Sequence, residues 1–378
     1  MADSYWLAEP HEPLPVRRLA GPADVAVVGG GVTGCSAALE LARRGFRVRL
    51  HEAREVAGGA SGRNGGFVLR GAAAPYDVIA ETVGRERALA LWRWTEESIA
   101  ELRDLAGDAF RAVGSLRLAA DEQERAELRR EWEALTADGL AADWIDEPGG
   151  RLAGRYPAAV HHPTDGALQP ARWVRRLAAR AAAAGVDVRE RSRVGSLAEA
   201  AAHVVLVATD GYPSGLLGPL EGLIVPTRGQ MIATEPVPER LFETPHYGRH
   251  GFDYWHQTPD GRLLAGGFRD VALDSELTAE EETTEPIQQA LEQLVADLAG
   301  RPLRVDARWA GIFGLVLDFL PVVGPVSGTD GLWVAGGYSG HGNVLGYACG
   351  KLVARAIAGE RDPLLDLFEP ARLLNDPS

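Results

Sequence analysis

One stretch near the N-terminus decides the fold: Asp24-Val-Ala-Val-Val-Gly-Gly-Gly-Val-Thr-Gly34. Its apolar first half predicts a buried parallel strand, and the glycines that follow predict a tight turn. Apolar residues then recur at helical spacing from Thr33 to Arg44, and Gly45 ends that helix. The segment from Arg47 to Glu52 alternates as a second strand. Together these patterns predict one strand–helix–strand unit with a right-handed crossover.

The turn inside this unit, Gly29-Gly-Gly-Val-Thr-Gly34, has the pattern G-x-G-x-x-G. We expect Gly29 to make the tight turn, Gly31 to let the backbone approach a pyrophosphate, and Gly34 to let helix and strand pack closely. The helix N-terminus presents N–H groups and a partial positive charge to phosphate. Glu52 is placed to accept hydrogen bonds from a ribose diol. The unit therefore predicts a dinucleotide site, which either FAD or NAD fits.

Two further glycine-rich segments separate these possibilities. Gly58-Gly-Ala-Ser-Gly-Arg-Asn-Gly-Gly66 has few side chains, so its backbone can lie flat against a large planar ligand, and Arg63 adds a positive charge there. Gly336-Gly-Tyr-Ser-Gly-His-Gly-Asn-Val344 is again a strand, a glycine turn and a helix. A helix N-terminus at that point would stabilise negative charge on a reduced flavin. The two segments favour FAD.

The remaining patterns extend this picture to the whole chain. Helical periodicity falls at about 77–105, 122–138, 170–185, 285–298 and 344–357, and strand patterns fall at 115–119, 186–189, 203–208 and 332–335. Short strands between about 219 and 268 indicate an antiparallel sheet. We expect an α/β fold with a Rossmann-like FAD-binding domain and a second domain with a mixed or antiparallel sheet, which binds substrate. Both are discontinuous: 1–75, 150–215 and 305–378 form the first, and 76–149 and 216–304 form the second.

Composition narrows the class of protein. The net charge of −14 argues against a nucleic-acid partner. The two cysteines, Cys35 and Cys349, are too few for a disulfide framework or a zinc site, and no metal is expected. No stretch is apolar for the length of a membrane span, and the polar leader from Met1 to Pro15 has no signal-peptide pattern. These features predict a cytoplasmic enzyme.

The three glycine segments and Glu52 together resemble the glycine oxidase, sarcosine oxidase and D-amino-acid oxidase family, most of all its gamma-glutamylputrescine oxidoreductase branch. A leader like Ser4-Tyr-Trp6 and a segment like Val225–Pro236 accompany that branch. The resemblance implies FAD held without a covalent link, because Phe313 and the loop at Gly62 and Arg63 stand where relatives have an attachment residue. The residues expected to bind FAD are Gly29, Gly31, Val32, Thr33, Gly34, Glu52, Ala53, Arg54, Gly59, Ala60, Ser61, Arg63, Asn64, Gly65, Gly66, Val194 (in the strand after the Pro170 helix), Ala208, Thr209, Gly311, Gly340, His341, Gly342, Asn343 and Val344.

The resemblance also implies oxidation of a small amine or amino acid, in which the flavin takes a hydride and the resulting imine hydrolyses. The strand from Phe252 to Gln257 is the expected pocket wall, with Phe252, Tyr254 and His256 on one face and Asp253 and Trp255 on the other. We expect His256 to assist deprotonation near neutral pH and Arg228 to anchor a carboxylate. Ordinary aromatic packing and a solvated arginine are the alternatives. The candidate catalytic residues are Tyr254, His256, Tyr338, His341 and Arg228.

The electron acceptor is expected to be oxygen or another acceptor. Several members of the family hold a lysine over the flavin, and the corresponding residue here is Leu264. The chain's only lysine, Lys351, lies more than two turns into the C-terminal helix. A positive charge beside the flavin must then come from an arginine or a histidine, with His256 and His341 nearest by motif. We therefore expect slow reaction with oxygen.

Two other functions fit the same nucleotide site, because a fold does not determine its chemistry. One is a flavin hydroxylase or an NAD-linked reductase, although no second nucleotide motif is present. The other is a FAD-binding subunit without catalysis.

Overall fold

The computed structural model describes residues 4–374, apart from the side chain of Pro219. The predicted first domain includes 1–3 and 375–378, which lie outside the described residues. The strands, in chain order, are β1 (Ala23–Val28), β2 (Val48–His51), β3 (Phe67–Val68), β4 (Phe110–Arg111), β5 (Ser115–Ala119), β6 (Asp143–Asp146), β7 (Ala158–His162), β8 (Gly166–Leu168), β9 (Asp187–Arg189), β10 (Ala202–Val207), β11 (Val225–Pro236), β12 (His246–Gly248), β13 (Asp253–Gln257), β14 (Arg262–Gly267), β15 (Val305–Leu315), β16 (Val322–Pro325) and β17 (Leu332–Gly336).

The helices divide into long and short ones. They are α1 (Val32–Arg43), α2 (Tyr76–Val83), α3 (Arg85–Ala106), α4 (Glu122–Ala137), α5 (Pro170–Ala183), α6 (Leu197–Ala200), α7 (Leu273–Glu276), α8 (Glu285–Ala299), α9 (Gly342–Ile357), α10 (Leu365–Phe368) and α11 (Ala371–Leu374). The single helix expected over 77–105 is wrong. Gly84 separates α2 from α3 because its φ of 92° lies in the left-handed region, which a continuing helix cannot use.

A six-stranded sheet carries the predicted nucleotide-binding unit, in the order β16-β17-β10-β1-β2-β9. Its strands are parallel except for the β16–β17 pair. Both faces of β1 are buried: Val25 and Val27 pack in one apolar cluster, and Ala26 and Val28 pack in another. Burial on both faces explains why β1 has no alternation, as expected for a parallel strand.

An eight-stranded sheet in the order β15-β11-β14-β13-β12-β5-β7-β6 forms the second layer. It is antiparallel except between β12 and β5, which confirms a mixed sheet. A small third sheet, β3-β8-β4, stands apart from both. The α/β fold class is therefore confirmed.

Two strands of the larger sheet come from ranges expected in the nucleotide-binding domain. β15 pairs along most of its length with β11, and β7 pairs with β5 and β6. Strand pairing thus continues across the expected limits at 150 and 305. The two-domain division itself stays a prediction.

Across residues 4–374, no helix combines the length and apolar character that crossing a membrane requires. The same residues contain no group of three or more histidine, cysteine or acidic side chains placed to hold a metal ion. Both cysteines are buried, Cys35 on α1 and Cys349 on α9.

Candidate active site

The first glycine turn connects β1 to α1, and close backbone contacts require its glycines. Gly29 has a φ of 117°, and a Cβ there would lie 2.4 Å from the carbonyl oxygen of Ala208. A Cβ on Gly34 would lie 1.9 Å from the carbonyl oxygen of Gly29. Gly31, the N-cap residue of α1, has no side chain, and among the first N–H groups of the helix that of Val32 donates to Ser61 Oγ at 2.9 Å. The N-terminus of this helix is thus shaped to receive an anion through backbone N–H groups.

Glu52 follows β2 and is bound on one side by backbone. Its Oε2 accepts a hydrogen bond from Gly30 N at 2.7 Å, and its Oε1 accepts one from Arg54 N at 2.7 Å. Burial raises the pKa of Glu52, and these two hydrogen bonds oppose that shift. Each carboxylate oxygen can accept more than one hydrogen bond, so the side chain retains acceptors for a ribose diol.

The second glycine segment is held in place by the leader. The Ser4 hydroxyl donates to the carbonyl oxygen of Gly62 at 2.5 Å, and Trp6 Nε1 donates to that of Asn64 at 2.7 Å. Asn64 and Asn343 exchange two side-chain amide hydrogen bonds, each of 3.1 Å. The leader and the start of α9 therefore position this loop.

The third glycine turn follows β17 and is tied to the first turn. Thr33 Oγ1 donates to the hydroxyl of Tyr338 at 2.9 Å. Asp210, just after β10, accepts hydrogen bonds from Gly337 N at 2.7 Å and from Gly314 N at 2.9 Å. Sequence reasoning missed Asp210, although its position directly after Ala208 and Thr209 at the carboxyl end of a parallel strand was a usable signal.

These turns enclose one cleft with about 1240 Å³ of empty space, part of it open to solvent. Seventeen of the predicted cofactor residues line the cleft: Gly29, Gly31, Val32, Thr33, Glu52, Ala53, Arg54, Gly59, Ala60, Ser61, Asn64, Val194, Ala208, Thr209, Gly340, Gly342 and Asn343. Val194 lies in the loop after β9 rather than in a strand, which corrects its expected setting.

Seven predicted cofactor residues are not among those that line this cleft: Gly34, Arg63, Gly65, Gly66, Gly311, His341 and Val344. Arg63 Nε donates to the carbonyl oxygen of Gly58 at 3.0 Å and lies 3.8 Å from Glu281 Oε1. The nearby carboxylate reduces the positive charge that was expected from Arg63. A Cβ on Gly311 would lie 2.8 Å from the Cβ of Arg63.

A cluster at one end of the cleft was not foreseen. Arg54 Nη1 donates to both oxygens of Glu281 at 2.8 Å, and the hydroxyl of Tyr212 donates to Glu281 Oε1 at 2.5 Å. The Arg54 guanidinium also lies 5.2 Å from the centre of the Tyr212 ring. Tyr212 packs against Gly59, where a Cβ would lie 3.0 Å from its ring. Glu281 comes from the loop before α8, so sequence motifs could not link it to the cleft.

The cleft fits FAD by the chemistry of its walls. The N-terminus of α1, with its glycine backbone and the Ser61 hydroxyl beside it, suits a pyrophosphate, and the retained acceptors of Glu52 suit a ribose. The Phe313 ring also lines the cleft, and a phenyl ring has no nucleophile with which to form a flavin bond. FAD would be held by the three glycine segments and Glu52.

The predicted pocket wall, β13, has the expected two faces. Tyr254 packs with the cluster that includes Leu264 and the nucleotide-binding core, whereas Trp255 packs in the core on the opposite side of the sheet. Phe252 lies just before the strand, which begins at Asp253. The strand register adds two residues to this face that sequence reasoning missed, because Tyr247 is opposite both Tyr254 and Arg117.

The surroundings of His256 argue against its expected role as a base near neutral pH. Burial lowers the pKa of His256 to about 3, and its Nε2 lies 2.9 Å from the carbonyl oxygen of Gly65. The ring stacks on Trp6 with centroids 5.9 Å apart and meets Phe67 edge-on. Burial, with a smaller contribution from Arg117, likewise lowers the pKa of His341 to about 4. Both histidines are neutral at neutral pH, so neither supplies the positive charge expected beside the flavin.

The ion pair of Arg228 likewise argues against its expected role as a carboxylate anchor. Its Nε and Nη2 donate to the two oxygens of Glu276 at 2.9 and 2.5 Å, and both side chains are buried. Gln230 donates to the same carboxylate. An arginine already engaged by a bidentate carboxylate has no free fork for a ligand.

The fold and this cleft define a dinucleotide-binding oxidoreductase. The chain belongs to the family described as DAO, FAD dependent oxidoreductase, whose family model matches residues 24–356. It is an FAD-dependent oxidoreductase.

Three relatives illustrate the similarity. A probable oxidoreductase, OrdL, from Rhizobium meliloti is 29% identical over 98% of this chain and 91% of its own. The gamma-glutamylputrescine oxidoreductase of Escherichia coli is 27% identical over 95% of this chain and 89% of its own. The crystal structure of glycine oxidase from Geobacillus kaustophilus superposes with a TM-score of 0.74 at 25% identity, over 93% of this chain and 98% of that one.

Proposed function

We propose that this enzyme oxidises the carbon–nitrogen bond of a small amine or amino acid. The observation that carries the proposal is the bare backbone of Gly229, which lies opposite Gly311 on β11 and β15 and beside the Phe313 ring of the cofactor cleft. A Cβ on Gly229 would lie 3.8 Å from both the Phe313 ring and the Tyr254 hydroxyl. A small substrate beside this glycine would meet an aromatic ring and a hydroxyl.

The reaction removes a hydride from the carbon and a proton from the nitrogen, and water then converts the imine to a carbonyl compound and an amine or ammonia. FAD, when bound, supplies the hydride acceptor. Burial raises the pKa of Tyr254 to about 12, so its hydroxyl remains a hydrogen-bond donor. Neutral His256 and His341 leave no charged base at this face, which suits a substrate that reacts as the neutral amine. Phe313 and Tyr254 would orient it.

Relatives support this proposal through their names, which include a glycine oxidase and a gamma-glutamylputrescine oxidoreductase. The predicted cofactor and substrate residues, a cytoplasmic location and an acceptor that is oxygen or another oxidant are parts of the same proposal. Two buried, unlinked thiols suit a reducing compartment.

Anaerobic mixing of the holoenzyme with a panel of amines and amino acids tests the proposal, with the yellow flavin absorbance as readout. We expect bleaching by at least one member of the panel. Bleaching by NADH or NADPH alone would support a reductase, and a flavin that no compound bleaches would support a non-catalytic subunit.

A further inference from the structure

A second cavity lies beside the leader and is separate from the cofactor cleft. It holds about 1070 Å³ of empty space, part of it open to solvent. Its wall comes from the leader, from segments within 108–111 and 167–172, and from the end of β13 with the turn that follows it. Within residues 4–374, the residues that line this cavity and those that line the cofactor cleft are different. We call this space the leader cavity.

Two stacked rings in its wall connect the leader cavity to the second glycine segment. The rings of Trp6 and His256 have centroids 5.9 Å apart and planes 9° apart. Trp6 Nε1 donates to the carbonyl oxygen of Asn64 at 2.7 Å, and His256 Nε2 lies 2.9 Å from that of Gly65. A carbonyl oxygen only accepts, so the neutral His256 ring has its proton on Nε2. Its buried Nδ1 is then an acceptor, and it has no hydrogen-bond partner within residues 4–374.

Arg111 is a charged side chain of this wall that forms no ion pair with any described residue. Its Nη1 donates to the carbonyl oxygen of Gln257 at 2.9 Å, and its Nη2 donates to that of Glu243 at 3.2 Å. Arg240 donates to the same Gln257 oxygen at 3.3 Å, so two guanidinium groups converge there. Burial and the neighbouring Arg240 lower the pKa of Arg111, which the Glu243 carboxylate only partly opposes, yet arginine stays protonated in proteins. A partly desolvated cation in this setting favours an anionic ligand.

The carboxylates of the leader cavity, in contrast, already have arginine partners. The pairs are Glu9 with Arg172, Asp108 with Arg176, and Asp260 with Arg262. A cationic ligand would have to displace one of these arginines, whereas an anion meets Arg111 directly. Much of the remaining wall is apolar or aromatic, and it includes Tyr5, Trp6, Ala109, Leu168 and Pro259. Charge and surface together suit a ligand with a flat apolar body and one anionic group.

We propose that the leader cavity binds a small aromatic anion, with the charged group on Arg111 and the ring against Tyr5 and Trp6. The carbonyl oxygens of Gln257 and Glu243 use only part of the guanidinium, so other N–H groups remain for the ligand. The site is separate from the place where we propose that substrate is oxidised, so the inference does not depend on the proposed function. Since Trp6 and His256 contact the backbone of the second glycine segment, an occupant of this cavity also contacts the support of the flavin.

Calorimetric titration of the holoenzyme with phenyl phosphate tests the site. We expect saturable binding, with weaker binding of phenol, which lacks the charge, and of inorganic phosphate, which lacks the ring. Arg111→Gln should weaken the binding of phenyl phosphate at least about tenfold. Arg111→Lys keeps the charge but loses the planar fork, so it should recover part of the affinity. Phenol or inorganic phosphate that binds as tightly as phenyl phosphate would contradict an aromatic anion as the ligand.

Arg155 offers a matched control. It also donates to a backbone carbonyl, that of Asp297 at 2.8 Å, and forms no ion pair with the described residues. Arg155→Gln should bind phenyl phosphate as the wild type does. Flavin content and melting temperature verify that each variant is folded. Equal affinity in folded Arg111→Gln and wild type, or wild-type enzyme without saturable binding, would overturn the inference.

A crystal structure of the holoenzyme with phenyl phosphate locates the probe without any variant. We expect its density between Tyr5 and Arg111. Density in the cofactor cleft or beside Tyr254, with none in the leader cavity, would overturn the inference. No turnover enters these measurements, so their failure leaves amine oxidation standing. Binding in the leader cavity by an enzyme that no amine reduces would support this site and contradict the proposed function alone.

Discussion

The hydroxyl of Tyr338 accepts a hydrogen bond from Thr33 at 2.9 Å and so joins the third glycine turn to the first. Tyr338 was expected among the catalytic residues, and its ring does line the cleft. A tyrosine hydroxyl engaged by a buried threonine is suited to holding two turns together. We infer that Tyr338 is a positioning residue.

Tyr338→Phe should lower the free energy of unfolding by about 0.5–1.5 kcal/mol, because one buried hydrogen bond is lost. The rate of flavin reduction by the best substrate should change by no more than a few-fold. Thermal unfolding and anaerobic single turnover measure the two quantities. Thr33→Val serves as the second arm of a double-mutant cycle. A loss of reduction by several orders of magnitude in a stable Tyr338→Phe variant would contradict a positioning role.

Glu52→Ala should weaken FAD binding about tenfold to a hundredfold, which corresponds to about 1.5–3 kcal/mol of charged hydrogen bonds. The flavin that remains bound should react normally. Titration of apoprotein with FAD measures the affinity. Glu55→Ala, at a half-exposed carboxylate paired with Arg191, is the control and should leave affinity unchanged. Unchanged affinity in Glu52→Ala would mean that Glu52 does not contact the ribose.

Acid or heat should release FAD from the purified yellow protein. Phe313 and the loop at Gly62 and Arg63 offer no residue for a covalent bond to the flavin. The protein is precipitated, and absorbance is measured in the supernatant and in the pellet. Colour that stays with the washed pellet would disprove a non-covalent cofactor.

Reduced enzyme should react with oxygen slowly compared with relatives that hold a lysine over the flavin. By the family resemblance Leu264 corresponds to that position, and it is fully buried. Stopped-flow mixing with oxygenated buffer measures the rate. His256→Gln and His341→Gln should leave the rate within a few-fold of the wild type, because both histidines are neutral. A rate that falls steeply only as His341 is removed would show that His341 carries the charge after all.

Acidification should destabilise the protein through buried histidines such as His246. Burial lowers the pKa of His246 to about 4, from an ordinary 6.5, so below pH 6.5 the unfolded chain takes up a proton that the native state does not. Stability therefore falls as the pH drops from 6.5 to about 4, by up to about 3 kcal/mol for this group.

Denaturant unfolding of the holoenzyme across this pH range, with FAD at a fixed saturating concentration, checks the effect. The stability of His246→Phe should depend less on pH than that of the wild type. His203→Gln, at an exposed position on β10, should keep the wild-type slope. Identical slopes for His246→Phe and the wild type would contradict the assignment.

Local patterns explain why much of the fold was predictable. β1, α1 and β2 are adjacent in the chain, and each has a periodicity that its own residues display. β11 pairs with β15, although β12, β13, β14 and α8 lie between them in the chain. No local sequence pattern identifies such a distant partner strand. Gly84 ends α2 through a backbone angle that helical periodicity does not reveal.

Some residues of the candidate site could likewise be predicted from the sequence, and others could not. The glycine turns predict a phosphate site from the sequence alone, because the spacing of the glycines is itself what the phosphate-binding turn requires. The partner of Arg228 is Glu276, 48 residues later, and nothing in the sequence marks the pair. The role of a charged residue depends on its neighbours in space, and the sequence alone does not reveal those neighbours.

The bond between Thr33 and Tyr338 spans 305 residues, and that distance has a consequence for biosynthesis. The ribosome makes the first glycine turn long before it makes the third. Closing so long a loop carries an entropic cost that only the docking of β17 and α9 offsets. The nascent protein therefore completes its cofactor cleft only after β17 and α9 have been made. Flavin supply should limit the yield of folded enzyme at that step, so added riboflavin should raise the recovery of active protein from overexpressing cells.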